Sequence, residues 1–424
     1  MSVTAADAAS CALHDAGTCR SCPHLSLPIP DQLAAKQSHV AALLAEHVPA
    51  ELWQAPAASA PTGFRNKAKM AVAGTAARPT LGILDGAGCG VDLRACPLHV
   101  PAIEAALPVL ADLITELGLR PYDVPARRGE LKYLLVTASP DDDLMVRFVL
   151  RSRRYLEPLR AAVPDLRRRL PQLAVAAVNI QSVHQAVIEG PEEILLTEED
   201  RLLMRLSLPS PGRNGRVGRP ADGVELPLYL PTRSFFQTNT AVAEALYATA
   251  RAWARETEPT RVWDLFCGVG GFALALAAPG RQVLGVEVSA QAIDGARAAA
   301  DLMGLDPALV RFEAGDAQVL DPAAGDRAGG AQRSWSTRPD AGSGSSWPAG
   351  SRPPAWAGCS TPPATRARWR RTWRTCPRCG WCARACSTCS RTPSTPRCSW
   401  SWCGAEPAAS RARPGRRARR PGRC

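Results

Sequence analysis

The sequence predicts an α/β protein, a doubly wound parallel sheet preceded by an α+β domain, and three observations predict it. From Thr240 onward, short apolar strands alternate with helical segments. Before that point, runs alternating apolar and polar residues are separated by turn signals, with few helical stretches. Residues 331–424 contain no Leu, Ile, Val, Phe, Met, Tyr, Lys, Asn or His, so the folded protein is expected to end near residue 325.

The parallel part reads as a helix over Thr240–Ala254, a strand over Arg261–Phe266, a glycine loop and a helix. A strand over Gln282–Val288, a helix over Ala290–Met303 and a strand over Val310–Glu313 follow. In the first half, Cys11–Cys22 (CALHDAGTCRSC) is a cysteine-rich loop and Pro30–Glu46 has helical spacing. Strands are expected over Lys67–Ala73, Leu131–Thr137 and Leu144–Leu150, the last two joined by a turn at Pro140–Asp143. Leu156–Leu170 is amphipathic, with Pro164 interrupting or starting the helix, and Val175–Ile180 and Ala186–Ile188 look like two more strands. These elements suggest four regions. They are a cysteine-loop region with the start of the α+β domain (1–110), the rest of that domain (111–225), the parallel α/β domain (226–325) and a tail (326–424).

The formal net charge of +12 is misleading until it is located. Residues 331–424 hold 19 arginines against two acids, Asp340 and Glu406, whereas residues 1–330 hold 32 basic and 37 acidic side chains. Without aliphatic residues, the tail cannot offset a backbone entropy of roughly 1–2 kcal/mol per residue, so it is expected to be disordered as translated. No run of about eighteen apolar residues and no signal-peptide pattern is present, and a cytoplasmic location with no membrane partner is expected.

Asp264–Phe272 reads DLFCGVGGF, a strand ending in an acid and a glycine loop opening a helix. Glu287 ends the next strand, where a carboxylate can accept both hydroxyls of a ribose. The spaced glycines of a dinucleotide site are missing, so S-adenosylmethionine, which has no phosphate, fits better. Asp316 follows a third strand, where an acid can meet an adenine amino group. Cys267 is expected to be small filler. Cys11, Cys19 and Cys22, with Cys96 as a fourth thiol and Cys89 as its rival, point to a metal centre; spacing alone does not choose zinc over an iron–sulfur cluster. Arg65, Lys67 and Lys69 in GFRNKAKM share one strand face, which suits phosphate contacts or plain solvation, and Arg151, Arg153 and Arg154 add to the basic supply.

CALHDAGTCRSC, GFRNKAKM, ACPL, GELKYLL, MVRFVLRS, SFFQTN, WDLFCGVGGF and GVEVS, in this order, resemble the RNA uracil-C5 methyltransferases, and most closely the bacterial type acting on 23S rRNA. The resemblance covers nearly all of residues 11–317. It implies a Rossmann-like S-adenosylmethionine-dependent methyltransferase domain behind an α+β domain that carries an iron–sulfur loop and contacts RNA. It also implies a [4Fe-4S] cluster on Cys11, Cys19, Cys22 and Cys96, and S-adenosylmethionine held by Gln237, Phe266 and Glu287 with Asp316 near the adenine. The implied partner is 23S rRNA rather than DNA, and the implied state is a monomer. In such chemistry a Cys thiolate adds to uracil C6, making C5 nucleophilic toward the methyl sulfonium, and a base then removes the C5 proton.

The family's catalytic motifs, resembling NPPRRG, YSSCN and FPHTxHxE, belong downstream of Asp316, and none is present there. Joining the third base of each codon to the first two of the next recovers them. Ser334–Gly344 (SWSTRPDAGSG) permits LVV[N/D]PPRRG, Ser360–Arg366 (STPPATR) permits YSSCNP, and Cys386–Arg397 (CSTCSRTPSTPR) permits FDMFPHTEHAE. Three agreements in family order and in one frame place a frame slip between about Asp316 and Arg333. The polypeptide is therefore expected to lack its nucleophile and base and to fold poorly after Glu313. Cys376, Cys379, Cys382 and Cys386 mimic ferredoxin spacing, but Ser387 stands where a Pro is usual and no aliphatic shell surrounds them. The alternative is a non-catalytic iron–sulfur RNA-binding protein with a genuine basic tail.

Overall fold

The computed structural model describes residues 9–184, 187–209 and 224–317, and the strands Arg333–Ser336, Trp373–Cys376 and Gly380–Ala383. The chain divides into two units, residues 1–354 (with Cys424) and 355–423.

After the short helix α1 (Ala12–Asp15) and α2 (Ile29–Leu44), the first unit builds a seven-stranded sheet. Its strands are β1 (Lys67–Thr75), β2 (Arg78–Leu84), β3 (Gly90–Asp92), β4 (Leu131–Ala138), β5 (Leu144–Leu150), β6 (Leu173–Ile180) and β7 (Glu192–Leu195), in the order β3-β2-β1-β4-β5-β6-β7. All neighbours are antiparallel except β5 and β6, which are parallel and joined by α4 (Leu156–Arg169). Helix α3 (Pro101–Glu116) follows β3, and its buried residues Ile103, Ala106, Leu107, Leu110, Leu113 and Ile114 recur at helical spacing. They join Leu159 and Leu166 of α4 over one face of the sheet, against Met70, Leu134, Val146, Phe148 and Val178.

The opposite face is mixed. Cross-strand pairing aligns Lys69 with Leu135, Leu135 with Arg147, and Arg147 with Ala177. Arg147 is only 2% exposed, with its guanidinium forked onto Glu193 at 2.6 and 2.7 Å and onto Glu189 at 2.9 Å. A buried charge is tolerable only when paired in this way. Met145 and Val175 on the same face enter a second core.

That second core is built by the hairpin β8 (Arg201–Leu208) and β9 (Val224–Pro231), helices α5 (Thr240–Thr257), α6 (Gly271–Leu276) and α7 (Ala290–Leu302), and a parallel sheet. The sheet contains β10 (Arg261–Leu265), β11 (Gln282–Glu287), β12 (Val310–Ala314) and β13 (Arg333–Ser336), in the order β12-β11-β10-β13. Helices α5 and α7 start at Asn239 and Ser289, whose side-chain oxygens accept from the Val242 and Ala292 amides, a capping bond of about 1 kcal/mol each. Among the described residues no helix is long and apolar enough to cross a membrane.

Four expectations are corrected. No strand forms at 187–188; the pairing strand is β7, whose Leu195 and Ile194 register with Ala177 and Val178. Pro164 lies inside α4, which runs unbroken through it. The β2–β3 pair, α3 and the β8–β9 hairpin are elements the sequence reading missed, although β8 alternates between buried and less buried residues and α3 carries its apolar residues at helical spacing. Regular structure does not end at residue 325: β13 pairs in parallel with β10, and β14 (Trp373–Cys376) pairs with β15 (Gly380–Ala383) within the second unit. An unpaired strand edge offers backbone donors and acceptors to any chain, so pairing there needs no aliphatic side chains.

Candidate functional site

The glycine loop is a sharp left-handed turn. Phe266 (φ 62°), Gly268 (φ 54°) and Gly270 (φ 80°) bring the chain from β10 into α6. A non-glycine residue in this region costs of order 1 kcal/mol and persists only where the surroundings enforce it. Gly271 is required by packing, since a Cβ there would lie 2.4 Å from the Tyr247 hydroxyl. A Cβ on Gly268 would meet nothing within 4 Å, so its backbone borders open space.

Glu287 fixes one wall of that space. Its carboxylate accepts from the Gly268 amide at 3.2 Å and from the Ser289 amide at 3.1 Å, while its carbonyl accepts from the Gly315 amide at 2.9 Å. Phe266, Glu287 and the exposed Asp316 therefore stand together at the carboxyl ends of three adjacent parallel strands. Such a crevice is where parallel α/β sheets bind ligands.

Asp264 lies beneath the loop, 0% exposed. One carboxylate oxygen accepts from the Ala273 amide at 2.9 Å, and the other has no partner among the described atoms. Burial, reinforced by the Glu287 charge and opposed by the Ala273 amide, pushes its pKa up to about 7. Tyr247, edge-on to Phe272 with ring centroids 5.0 Å apart, and Cys267 are both pushed well above their usual ranges by burial and the Asp264 charge. Cys267 is thus a buried neutral thiol, unsuited to nucleophilic attack.

Gln237 comes from a separate segment, the turn before α5. It is half-buried, and its carbonyl accepts from Asn66 Nδ2 at 3.0 Å. Asn66 is 2% exposed and also donates from Nδ2 to Thr240 Oγ1 at 2.9 Å and from its amide to the Thr238 carbonyl at 3.0 Å. The sequence reading passed over Asn66; the usable signal was a short amide side chain inside a basic strand start.

Cys11, Cys19, Cys22 and Cys96 are all half-buried free thiols. The Cys22 thiol is pushed up by burial first and by Cys19 and Cys11 next. The Cys96 thiol is pushed up by burial and by the other three cysteines, against a Leu98 amide that lowers it. All four therefore lie within electrostatic reach of one another, although no group of three or more His, Cys, Asp or Glu among the described residues is arranged to hold a metal ion.

On the sheet face, Lys67 and Lys69 alternate with the buried Ala68 and Met70, as the strand period requires. Burial, with help from Lys69 and Arg147, pushes the Lys67 pKa down to about 8. The rest of the basic supply is partly spent internally. Arg151 pairs with Glu130 at 3.1 Å, Arg153 with Glu192, and Arg154 lies 5.8 Å from the Tyr155 ring.

Residues 223–316 match the family model described as tRNA (Uracil-5-)-methyltransferase. The 23S rRNA (uracil(747)-C(5))-methyltransferase RlmC of Yersinia pseudotuberculosis serotype I (strain IP32953) is 48% identical over 316 residues, 73% of this chain and 79% of the relative. The protein of the same name from Yersinia pestis matches to the same extent. The crystal structure of Pyrococcus abyssi tRNA (uracil-54, C5)-methyltransferase in complex with S-adenosyl-L-homocysteine shares the fold, with a TM-score of 0.55 and 20% identity over 75% of this chain and 68% of that one. At this identity and coverage, the chain belongs to the RNA uracil-C5 methyltransferase family.

Proposed function

We propose that this locus encodes a methyltransferase that transfers a methyl group from S-adenosylmethionine to C5 of a uridine in 23S rRNA. The observation that carries the reading is the crevice at the ends of β10, β11 and β12, where Glu287 is braced on the Gly268 amide and Asp316 stands one residue past Gly315. There Glu287 binds the ribose hydroxyls, Phe266 packs on the adenosine, Asp316 meets the adenine amino group, and Gln237 borders the transferring methyl. Lys67 and Lys69 supply positive charge for RNA phosphates from the neighbouring sheet face.

The chemistry needs a thiolate to add to uracil C6 and a base to take the C5 proton. Cys267 cannot serve as the nucleophile, because burial and two nearby carboxylates keep it protonated. We assign the nucleophile and base to codons read out of frame. In support of this, the family model's match ends at residue 316, where the frame slip is placed. Cys11, Cys19, Cys22 and Cys96 suit a [4Fe-4S] cluster by donor chemistry. Burial and mutual repulsion disfavour free thiolates, and a bound cationic centre reverses that balance.

The test is methyl transfer from labelled S-adenosylmethionine to a 23S rRNA fragment, read as 5-methyluridine after nuclease digestion. The 424-residue chain is expected to bind S-adenosyl-L-homocysteine but transfer no methyl, and the chain translated in the shifted frame is expected to transfer it. Robust transfer by the 424-residue chain would place the nucleophile within the present frame. No transfer by either chain would favour a non-catalytic RNA-binding protein.

A further inference from the structure

The segment that follows Cys96 and the turn that carries Gln237 are far apart in sequence but are joined by one continuous hydrogen-bonded path. Immediately after Cys96, the Pro97 carbonyl accepts from the Gly63 amide at 2.8 Å and the Leu98 carbonyl from the Arg65 amide at 2.7 Å, and the Val100 amide donates back to the Arg65 carbonyl at 3.1 Å. The next residue in this ladder is Asn66. Its carbonyl accepts from the Ala138 amide at 2.9 Å, anchoring it to the end of β4, while its amide and both side-chain contacts go to Gln237, Thr238 and Thr240. A buried asparagine whose donors all serve one turn fixes the position of that turn, because leaving any of them unpaired carries a desolvation penalty. The turn also leads into the Asn239 cap of α5, so its backbone is held from both sides.

We propose that Asn66 is a positioning residue for Gln237, and that through the 63–65/97–100 ladder it makes the placement of Gln237 depend on the segment that follows Cys96. This rests on the assignment of Gln237 to the S-adenosylmethionine site. The link acts by geometry alone: Asn66 touches no reacting atom, but it sets the height of the Gln237 backbone relative to the sheet on which RNA is proposed to lie. Disturbing residues 96–100 then moves the cofactor turn without any change in the glycine loop or Glu287.

The full chain is used for the test, with S-adenosyl-L-homocysteine as the probe. Asn66→Asp keeps the shape and the backbone clasp but removes the Nδ2 donor, and it is expected to weaken binding about tenfold, the loss of two hydrogen bonds. The same variant is expected to speed hydrogen exchange at the 238–242 amides. Ser59→Ala removes the 2.6 Å bond from Asn239 Nδ2 to Ser59 Oγ, a contact of similar reach that does not touch Gln237, and it is expected to leave affinity unchanged. Thr240→Ala, a milder change that removes one of the two acceptors, covers the case in which Asn66→Asp fails to fold. Weakened binding in Gln237→Ala with unchanged binding and exchange in Asn66→Asp overturns the positioning role. Unchanged binding in Gln237→Ala defeats the assignment of Gln237 instead, and exchange at 238–242 still decides whether Asn66 holds the turn.

Discussion

Replacing Asp264 with asparagine is expected to abolish a pH dependence of stability that the parent chain carries under its glycine loop. The carboxyl is 0% exposed, receives one amide hydrogen bond, and has its pKa raised from 3.8 to about 7. Between those values the unfolded chain has released the proton and the folded chain still holds it, so stability falls as pH rises. The favourable contribution is complete below pH 3.8, declines through the interval and is gone above about pH 7. A shift of this size corresponds to about 4 kcal/mol between the two limits.

Asparagine has the same shape and cannot ionise. Its side-chain oxygen can keep the Ala273 bond, and its amino group then occupies the site of the unpartnered oxygen, much as the protonated carboxyl does. Parent and variant should therefore agree to within about 1 kcal/mol near pH 4.5, and the variant should be more stable by about 3–4 kcal/mol near pH 8. The assay is urea denaturation of both chains across this range, with stability taken as the difference between them so that every other titrating group cancels. An unchanged pH slope in Asp264→Asn, or a variant less stable than the parent at pH 8, would refute the assignment of a buried protonated carboxyl.

Two further predictions test the same site and the cysteine loop. Gly271→Ala places a Cβ 2.4 Å from the buried Tyr247 hydroxyl and is expected to cost about 1–3 kcal/mol in thermal unfolding, whereas Gly268→Ala meets open space and is expected to cost only the left-handed backbone penalty of about 1 kcal/mol. Equal losses would mean that the loop is not packed as described. After anaerobic reconstitution, Cys22→Ser is expected to lose iron and visible absorbance while Cys267→Ser retains both; iron content indifferent to Cys22 would rule out the proposed ligand set.

Apart from β13, the parallel half of the fold was legible in the sequence because its elements carry complete local signals. The β10–α6 turn is marked by glycines, α5 and α7 by Asn239 and Ser289, and the edges of β11 and β12 lie within a residue or two of expectation. Glu287 and Asp316 were legible for a related reason, since they end or closely follow strands and strand ends in a parallel sheet converge, whereas Phe266 and Gln237 came only from the family resemblance. What sequence could not supply was long-range pairing. Asn66 and Gln237 are 171 positions apart, and nothing local to either requires the other. Nor does the MVRFVLRS segment disclose that Arg147 points into a sheet interior, because its two carboxylates arrive from the loop and strand after β6.

β13 shows how backbone and side-chain information come apart in this chain. Arg333–Ser336 pairs with β10 in parallel, Trp335 opposite Asp264 and Ser336 opposite Leu265, so the fourth position of the sheet, beyond β10, is filled. Strand pairing consults N–H and C=O groups, which every reading frame provides. A catalytic loop consults side chains, which only one frame provides. In the shifted frame, the codons of these residues and the next few permit an apolar strand followed by an NPPRRG-like turn. The strand Arg333–Ser336 is thus paired in register with β10 even though its in-frame sequence, Arg-Ser-Trp-Ser, is not an aliphatic run. The proposed frame slip within about Asp316–Arg333 would have this consequence, because it would alter residue identity downstream while leaving chain length between elements nearly unchanged. A genuine foreign tail gives no reason for a strand to pair there in the same stretch whose codons permit a family-like motif.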